Sequence, residues 1–278
     1  MGTLKLRHRR AALAAGLATG AMMMGLVAVP AEASEKTRYI ALGDSYAAGQ
    51  GAGPYLDDCF RSEETYSELA AELKSIKLDR NVACSGDTTQ EVVGTQLRRL
   101  NKNTDLVTIT AGGNNLRVGD IFTYCGAALR DPTAAPLCEG AVAFATTEIG
   151  SQKLAADVTA MIRSVKAAAP NAKVVVTGYP YLYDPVAPDA HDPLSLFIGQ
   201  ATPLVDGLNG SIAAAAYAAG AKYVDVRAAF AGHGINSADP WINLDLAHPT
   251  SPDNFHPNAE GYEAYFASLK AAGVYKAR

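Results

Sequence analysis

The sequence predicts an α/β domain built on a parallel β-sheet with helices on both sides. Short apolar segments bounded by turn residues recur along the chain, and amphipathic helical segments separate them. The apolar segments are rich in Val, Ile and Leu, as expected of strands that are buried on both faces. Strands that alternate with helices in this way usually join as parallel neighbours of one sheet.

The elements follow one another in a regular order. Strands are predicted at Arg38–Leu42, Leu106–Thr110, Lys173–Thr177 and Lys222–Val226, with a weaker one at Asn81–Cys84. Helices are predicted at Glu63–Leu73, Thr89–Leu100, Ser151–Ala169, Leu204–Ala219 and Asn258–Ala272. Two proline-rich segments with little periodicity, Tyr179–Thr202 and Ala231–His256, are predicted to be long loops. Loops of this length inside a compact domain are often functional.

The first 33 residues have the pattern of a signal peptide. A positive segment with Lys5 and Arg7 precedes an uncharged apolar run, Ala11–Val29, and Ala31-Glu32-Ala33 provides a cleavage signal. The apolar run is also about long enough to span a bilayer, so an uncleaved anchor is the alternative. We therefore expect a secreted protein that is cleaved near Ala33, with residues 34–278 forming a single domain.

The charge balance excludes some classes of partner. The formal net charge is −4, and loss of the signal peptide removes more basic than acidic residues. No basic patch remains that would suit nucleic acid or an anionic membrane. We expect a monomer that has no cofactor, binds no nucleic acid and has at most transient contact with a lipid interface.

Four cysteines remain in the predicted mature chain, and an even number in an exported protein indicates disulfide bonds. Three pairings are formally allowed. We favour Cys59–Cys84 with Cys125–Cys138, because neighbours in sequence tend to be neighbours in space. No Cys-x-x-Cys motif is present, which argues against a metal site.

Three short segments contain the side chains that acyl transfer requires. Ser45 lies at the end of the first predicted strand, Asn114 follows the strand Leu106–Thr110, and Asp253-x-x-His256 lies near the C-terminus. They provide a nucleophile, an amide donor, a base and an orienting acid. Each segment alone is also explained by a turn or by a surface residue, but together they fall on one edge of the predicted sheet.

These segments resemble the four sequence blocks of the SGNH, or GDSL, hydrolases. The matching residues are Gly43-Asp44-Ser45-Tyr46, Gly86, Gly112-Gly113-Asn114 and Asp253-x-x-His256. The chain is most similar to the secreted bacterial lipases, esterases and phospholipases of that family. The resemblance implies a flavodoxin-like α/β/α sandwich with about five parallel strands, and a disulfide between the Cys59 and Cys84 regions. The Gly-x-Ser-x-Gly motif of the α/β-hydrolases is absent around Ser45.

The resemblance also implies a role for each matching residue. Ser45 would be the nucleophile, His256 the general base and Asp253 the group that orients His256, although some members of this branch use a backbone carbonyl for that purpose. The oxyanion hole would combine the backbone N–H groups of Ser45 and Gly86 with the side-chain amide of Asn114. The chain has Asn115 where many members of the family have aspartate.

His248 is the rival for the base, because Asp245 precedes it at the same spacing and Pro249 follows it. We favour His256, since a helical segment follows it as in the family. Asp44 is expected to cap the helix that Ser45 begins.

The substrate is less well specified than the reaction. Apolar residues of the two long loops are candidates for an acyl groove or for ordinary core, namely Phe197, Ile198, Leu204, Trp241, Ile242, Leu244 and Leu246. We expect a carboxylic ester hydrolase that acts on lipid or fatty-acyl esters. The alternatives are a polysaccharide acetylesterase and a non-catalytic lipid- or carbohydrate-binding module on the same scaffold.

Overall fold

A computed structural model describes residues 35–189 and 191–276 of the chain. The predicted signal peptide, residues 1–33, lies outside the described residues. Five strands form the centre of the fold: β1 (Thr37–Gly43), β2 (Ile76–Asn81), β3 (Leu106–Thr110), β4 (Lys173–Thr177) and β5 (Lys222–Val224). They form one sheet with the order β2-β1-β3-β4-β5, in which every pair of neighbours is parallel.

Eight α-helices lie within the described ranges. They are α1 (Ser45–Ala48), α2 (Tyr66–Ala71), α3 (Thr89–Glu91), α4 (Val118–Ala128), α5 (Ala135–Gly150), α6 (Lys153–Ala168), α7 (Pro193–Ala218) and α8 (Ala259–Ala271). A π-helical turn at Val92–Gln96 and a 3-10 turn at Leu97–Arg99 continue directly from α3. None of the described helices combines the length and the apolar character needed to cross a bilayer.

The strand order indicates which edge of the sheet is expected to carry the functional site. Helix α2 packs against α8, whereas α6 packs against α7, which gives the helical layers of the predicted three-layer α/β/α sandwich. The chain passes from β1 to β2 on one side and then returns to β3 on the other side of β1. Ligands of such folds usually bind at the carboxyl ends of the strands, where the strand order reverses.

The prediction for the second strand needs a correction. The weak prediction at Asn81–Cys84 places the strand too late, because β2 begins at Ile76. Backbone hydrogen bonds to β1 continue beyond its end, since Val82 and Cys84 still donate to carbonyls of that strand. Strand β2 lies at the edge of the sheet and carries charged residues, which hides it from an apolar pattern.

The helix predictions were incomplete. Helices α4 and α5 were not predicted, and the prediction of a loop up to Thr202 was wrong because α7 begins at Pro193. Asp192 caps α7 by accepting from backbone N–H groups, and Pro203 lies inside the helix. An internal proline normally indicates a helix boundary, which explains why the sequence suggested a later start.

Candidate active site

Ser45 is positioned by the abrupt end of β1. The last residue of that strand, Gly43, has φ +132°, and a Cβ at this position would collide with the carbonyl oxygen of Thr110 on β3. Only glycine accommodates this conformation and this close approach. Ser45 then begins helix α1, and the residue is 8% exposed.

Asp44 caps α1, as predicted, and is also connected to a residue that the sequence did not indicate. Its carboxylate accepts a 3.0 Å hydrogen bond from the Tyr46 backbone N–H and a second bond from the Tyr179 hydroxyl. The Tyr179 hydroxyl in turn accepts from the Gly113 backbone N–H at 3.1 Å. Burial raises the pKa of Asp44 to about 7, despite the hydrogen bonds from Tyr179 and Tyr46.

The imidazole of His256 joins Ser45 to the C-terminal loop. His256 Nε2 lies 2.8 Å from Ser45 Oγ, and His256 Nδ1 lies 2.9 Å from the backbone carbonyl oxygen of Asn254. A carbonyl oxygen only accepts, so the proton of neutral His256 lies on Nδ1. Nε2 is then free to accept the Ser45 hydroxyl proton, which is the geometry required of a general base.

The surroundings of His256 keep it neutral. Burial lowers the pKa of His256 to about 4, and this effect outweighs the Asn254 hydrogen bond and the charge of Asp253, which both raise it. At neutral pH the imidazole is therefore available as a proton acceptor.

The structure does not bring the Asp253 carboxylate into hydrogen-bond contact with the His256 ring. The Asp253 carboxylate accepts from the Tyr55 hydroxyl, and the Asn254 carbonyl occupies the position beside His256 Nδ1. Tyr55 also accepts from the Gly51 backbone N–H at 2.9 Å. Asp253 thus joins the His256 loop to the segment after α1. Its carboxylate acts on His256 through its charge, and its backbone carbonyl accepts from the His256 backbone N–H at 3.1 Å.

The three predicted oxyanion donors line one cavity together with His256. Gly86 has φ +83°, and no atom lies within 4 Å of the position that its Cβ would occupy. The backbone N–H groups of Ser45 and Gly86 have no acceptor in the described part of the chain. The Asn114 amide donates to the Asp87 carbonyl at 3.0 Å, which leaves its second hydrogen for a substrate oxygen.

Asn115, which follows the predicted oxyanion donor Asn114, has a structural role. Its side-chain oxygen accepts from the Thr89 backbone N–H at 3.0 Å, and its amide nitrogen donates to Thr89 Oγ1 at 2.9 Å. The side chain therefore connects the segment after β3 to the first residue of α3.

The rival histidine is not part of the site. His248 Nδ1 lies 2.7 Å from Asp245, but the side chain of His248 is 77% exposed. His248 does not line the cavity that contains Ser45.

Both favoured disulfides are present in the structure, and both lie beside the cavity. Cys59 is bridged to Cys84, and the Cys59 carbonyl accepts from the Ser85 backbone N–H, next to Gly86. Cys125 is bridged to Cys138, which joins α4 to α5. The first bridge therefore lies beside the oxyanion donor Gly86, and the second joins two helices that line the apolar part of the cavity.

A cavity of about 220 Å³ extends from Ser45 between α4, α5, α7 and the segment after β4. Most of its lining is apolar and includes Leu116, Ile121, Phe122, Val142, Leu182 and Leu208. Of the predicted groove residues, Phe197 and Leu204 also line it, whereas Ile198 and Ile242 are core residues. Trp241 stacks on His233, and neither Leu244 nor Leu246 contributes to the lining.

Three parts of the site were not specified by the sequence. The Asn254 carbonyl is a backbone group without a sequence signature, so a backbone carbonyl could be named only as a general alternative to Asp253. Tyr179 was included in a predicted loop, and the helices α4 and α5 were overlooked.

Within the described ranges, no group of three or more His, Cys, Asp or Glu side chains is arranged to hold a metal ion.

Comparison with known sequences agrees with this geometry. Residues 41–264 match the GDSL-like lipase/acylhydrolase family. A lipase of Streptomyces rimosus is 34% identical over 275 residues, which cover 97% of this chain and 100% of that protein. Lipase 1 of Streptomyces coelicolor is 34% identical over 251 residues, covering 88% of this chain and 90% of that protein.

Two solved structures have the same fold. The crystal structure of the extracellular lipase from Streptomyces rimosus is 34% identical, with a TM-score of 0.75 over 85% of this chain and 99% of that chain. The phospholipase A1 from Streptomyces albidoflavus NA297 is 33% identical, with the same TM-score and the same coverage. Each likeness extends over nearly the whole of the solved chain.

Proposed function

Because the chain belongs to the GDSL-like lipase and acylhydrolase family, we propose that it is a secreted serine hydrolase that cleaves lipid or fatty-acyl esters through an acyl-enzyme on Ser45. The observation that carries the proposal is the 2.8 Å hydrogen bond between Ser45 Oγ and His256 Nε2 at the wall of a mostly apolar cavity. A nucleophile, a neutral base and an acyl-sized apolar space are thus brought together.

The first half of the reaction forms the acyl-enzyme. Ser45 Oγ attacks the ester carbonyl carbon while His256 Nε2 takes the hydroxyl proton. The carbonyl electron pair moves onto oxygen, where the N–H groups of Ser45 and Gly86 and the amide of Asn114 stabilise the charge. When the carbonyl re-forms, the bond to the alcohol breaks and the alcohol leaves with the proton from His256.

The second half releases the fatty acid. His256 takes a proton from water as the water oxygen adds to the acyl carbon, and the same three donors stabilise the new oxyanion. The bond to Ser45 Oγ then breaks, and Oγ takes the proton from His256. The Asn254 carbonyl holds the imidazole in the correct tautomer and accepts from its Nδ1–H throughout both halves.

Ser45→Ala tests whether the chain is an enzyme of this type. We expect the kcat for a p-nitrophenyl ester to fall about 10⁴- to 10⁶-fold, as in other serine hydrolases that lose the nucleophile. Ser164→Ala, which changes a hydroxyl on α6 away from the cavity, is the matched control and should retain activity. Unchanged activity in Ser45→Ala would contradict the proposed mechanism, and a wild-type protein without esterase activity would favour a binding module.

The apolar cavity favours fatty-acyl esters over acetyl esters, since acetyl groups need little apolar space. Ala145 on α5 is buried and lines the cavity, so Ala145→Leu should fill part of it. We expect palmitoyl ester hydrolysis to fall about 10- to 200-fold relative to acetyl ester hydrolysis. Ala143→Leu, at an exposed position of the same helix, is the control. A sharp preference of the wild type for acetyl esters would instead favour the polysaccharide acetylesterase.

Secretion is the remaining part of the proposal. It is supported by the N-terminal sequence, by the two disulfides and by the similarity to the extracellular lipase of Streptomyces rimosus. Expression of the full chain in an exporting bacterium should release a protein that begins at Ser34. N-terminal sequencing of the protein in the medium checks this, and an intact N-terminus retained in the membrane fraction would indicate an anchor.

A further inference from the structure

Gln96 makes an unusual set of contacts for a residue outside the cavity lining. It is the last residue of the π-helical turn Val92–Gln96, and it is only 3% exposed. Single π-helical turns are rare and occur frequently at functional sites.

The side-chain amide of Gln96 pairs with both backbone groups of Gly43. Its Oε1 accepts from the Gly43 N–H at 2.9 Å, and its Nε2 donates to the Gly43 carbonyl at 2.8 Å. Gly43 lies two residues before Ser45 and has the conformation that ends β1. Gln96 therefore holds the backbone of Gly43 in place, immediately before the turn that carries Ser45.

The same amide also reaches the oxyanion side of the site. Gln96 Nε2 donates to Asp87 Oδ2 at 2.7 Å, and the backbone carbonyl of Asp87 accepts from Asn114 Nδ2 at 3.0 Å. Both hydrogens of the amide nitrogen and one lone pair of Oε1 are therefore used. Their partners lie on the two segments that carry Ser45 and Gly86. The path runs from Gly43 beside Ser45, through Gln96 and Asp87, to Asn114.

We propose that Gln96 is a positioning residue that holds the Ser45 nucleophile and the Asn114 oxyanion donor in their mutual arrangement. The proposal rests on the proposed esterase function, because it assigns Gln96 to the same reaction. Gln96 does not line the cavity, so its loss should slow the chemical step without weakening substrate binding.

Gln96→Met keeps the length of the side chain and removes its hydrogen bonds. We expect kcat to fall about 10- to 100-fold with KM within about twofold, since a misplacement of about 1 Å at a reacting group costs up to about 100-fold. Val165→Ala, at a buried position of α6, provides a destabilised control that should lose thermal stability and keep the wild-type kcat.

A double-mutant cycle with Asn114→Ala separates positioning from a general structural role. If Gln96 acts in part through Asn114, the kcat loss caused by Gln96→Met should be at least about threefold smaller in the Asn114→Ala background, because coupled residues are not additive. An equal loss in both backgrounds, or a wild-type kcat in Gln96→Met, would overturn the proposal.

A second variant tests the same link if Gln96→Met fails to fold. Asp87→Ala removes the acceptor for Gln96 at a half-buried position and keeps the backbone carbonyl that holds Asn114. It should lower kcat about 3- to 10-fold and show the same reduced effect in the Asn114→Ala background. A wild-type kcat in Asp87→Ala overturns the link through Asp87. If Ser45→Ala is inactive while these variants are unimpaired, positioning by Gln96 is wrong and the proposed esterase function stands.

Discussion

The C-terminal loop contains the same spacing twice, as Asp245-x-x-His248 and as Asp253-x-x-His256, and the two copies behave in opposite ways. Asp245 and His248 form the direct carboxylate–imidazole pair that the spacing suggests, at 2.7 Å, but they form it in solvent. In the second copy, His256 contacts Ser45, whereas its own Asp253 accepts from Tyr55.

The difference teaches that burial, rather than spacing, makes the base. The interaction between an exposed imidazole and a neighbouring carboxylate is weak, because water and salt screen the two charges. His256 is half-buried, has its tautomer set by the Asn254 carbonyl and lies within hydrogen-bond reach of a hydroxyl. A backbone carbonyl orients the ring without adding a second buried charge.

Removal of each histidine should give the largest contrast between the two copies. We expect His256→Ala to lower kcat about 10²- to 10⁴-fold, which is the usual contribution of a general base, and His248→Ala to stay within about twofold of the wild type. Hydrolysis of a p-nitrophenyl ester measures both. Loss of activity only in His248→Ala would reverse the assignment of the base.

The pH profile distinguishes a buried base from an exposed one. His256 must be neutral to accept the serine proton, and its pKa is lowered to about 4 by burial, so kcat/KM should fall about tenfold per pH unit only below about pH 4. An acid limb near the ordinary histidine pKa of about 6.5 would contradict this environment. A separate inflection near pH 7 that disappears in Asp44→Asn would belong to Asp44, whose pKa burial raises to about 7.

Much of the fold and part of the site could be predicted from the sequence. The buried strands β1, β3 and β4 are continuous apolar runs, and Ser45 and Asn114 follow two of them, so the topology alone brings these residues to one edge. The short spacing of the cysteines likewise agreed with the pairs in the structure.

The remaining features depend on tertiary contacts. Helices α4 and α5 were missed because few of their residues are fully buried in the core, and several of their apolar side chains line a cavity instead. The partner of His256 is a backbone oxygen, which any residue at position 254 would supply. Phe255 adopts a left-handed conformation with φ +66°, and its carbonyl accepts from Tyr46 at 2.6 Å, so the shape of this loop is set by distant residues.

Asp253→Asn should have a moderate effect. Loss of the aspartate of a serine-protease triad costs about 10⁴-fold in kcat, whereas here we expect less than about tenfold, because the Asn254 carbonyl still orients His256. Asparagine can also accept from the Tyr55 hydroxyl, which preserves the link between the two loops. Removal of the negative charge should shift the acid limb of kcat/KM to lower pH, since that charge raises the pKa of His256. A loss of 10³-fold or more would restore Asp253 as the orienting acid.

The smallest effect is expected from Asp245→Asn, the corresponding change in the first copy. Its carboxylate accepts from the backbone N–H of Ala247 at 2.8 Å and lies beside the His248 ring, and asparagine retains an oxygen for the backbone bond. We expect kcat, KM and the thermal midpoint to remain within error of the wild type, because an exposed pair contributes little and neither residue lines the cavity. A clear loss of kcat in Asp245→Asn with little loss in Asp253→Asn would show that direct carboxylate–imidazole contact, rather than burial, identifies the base.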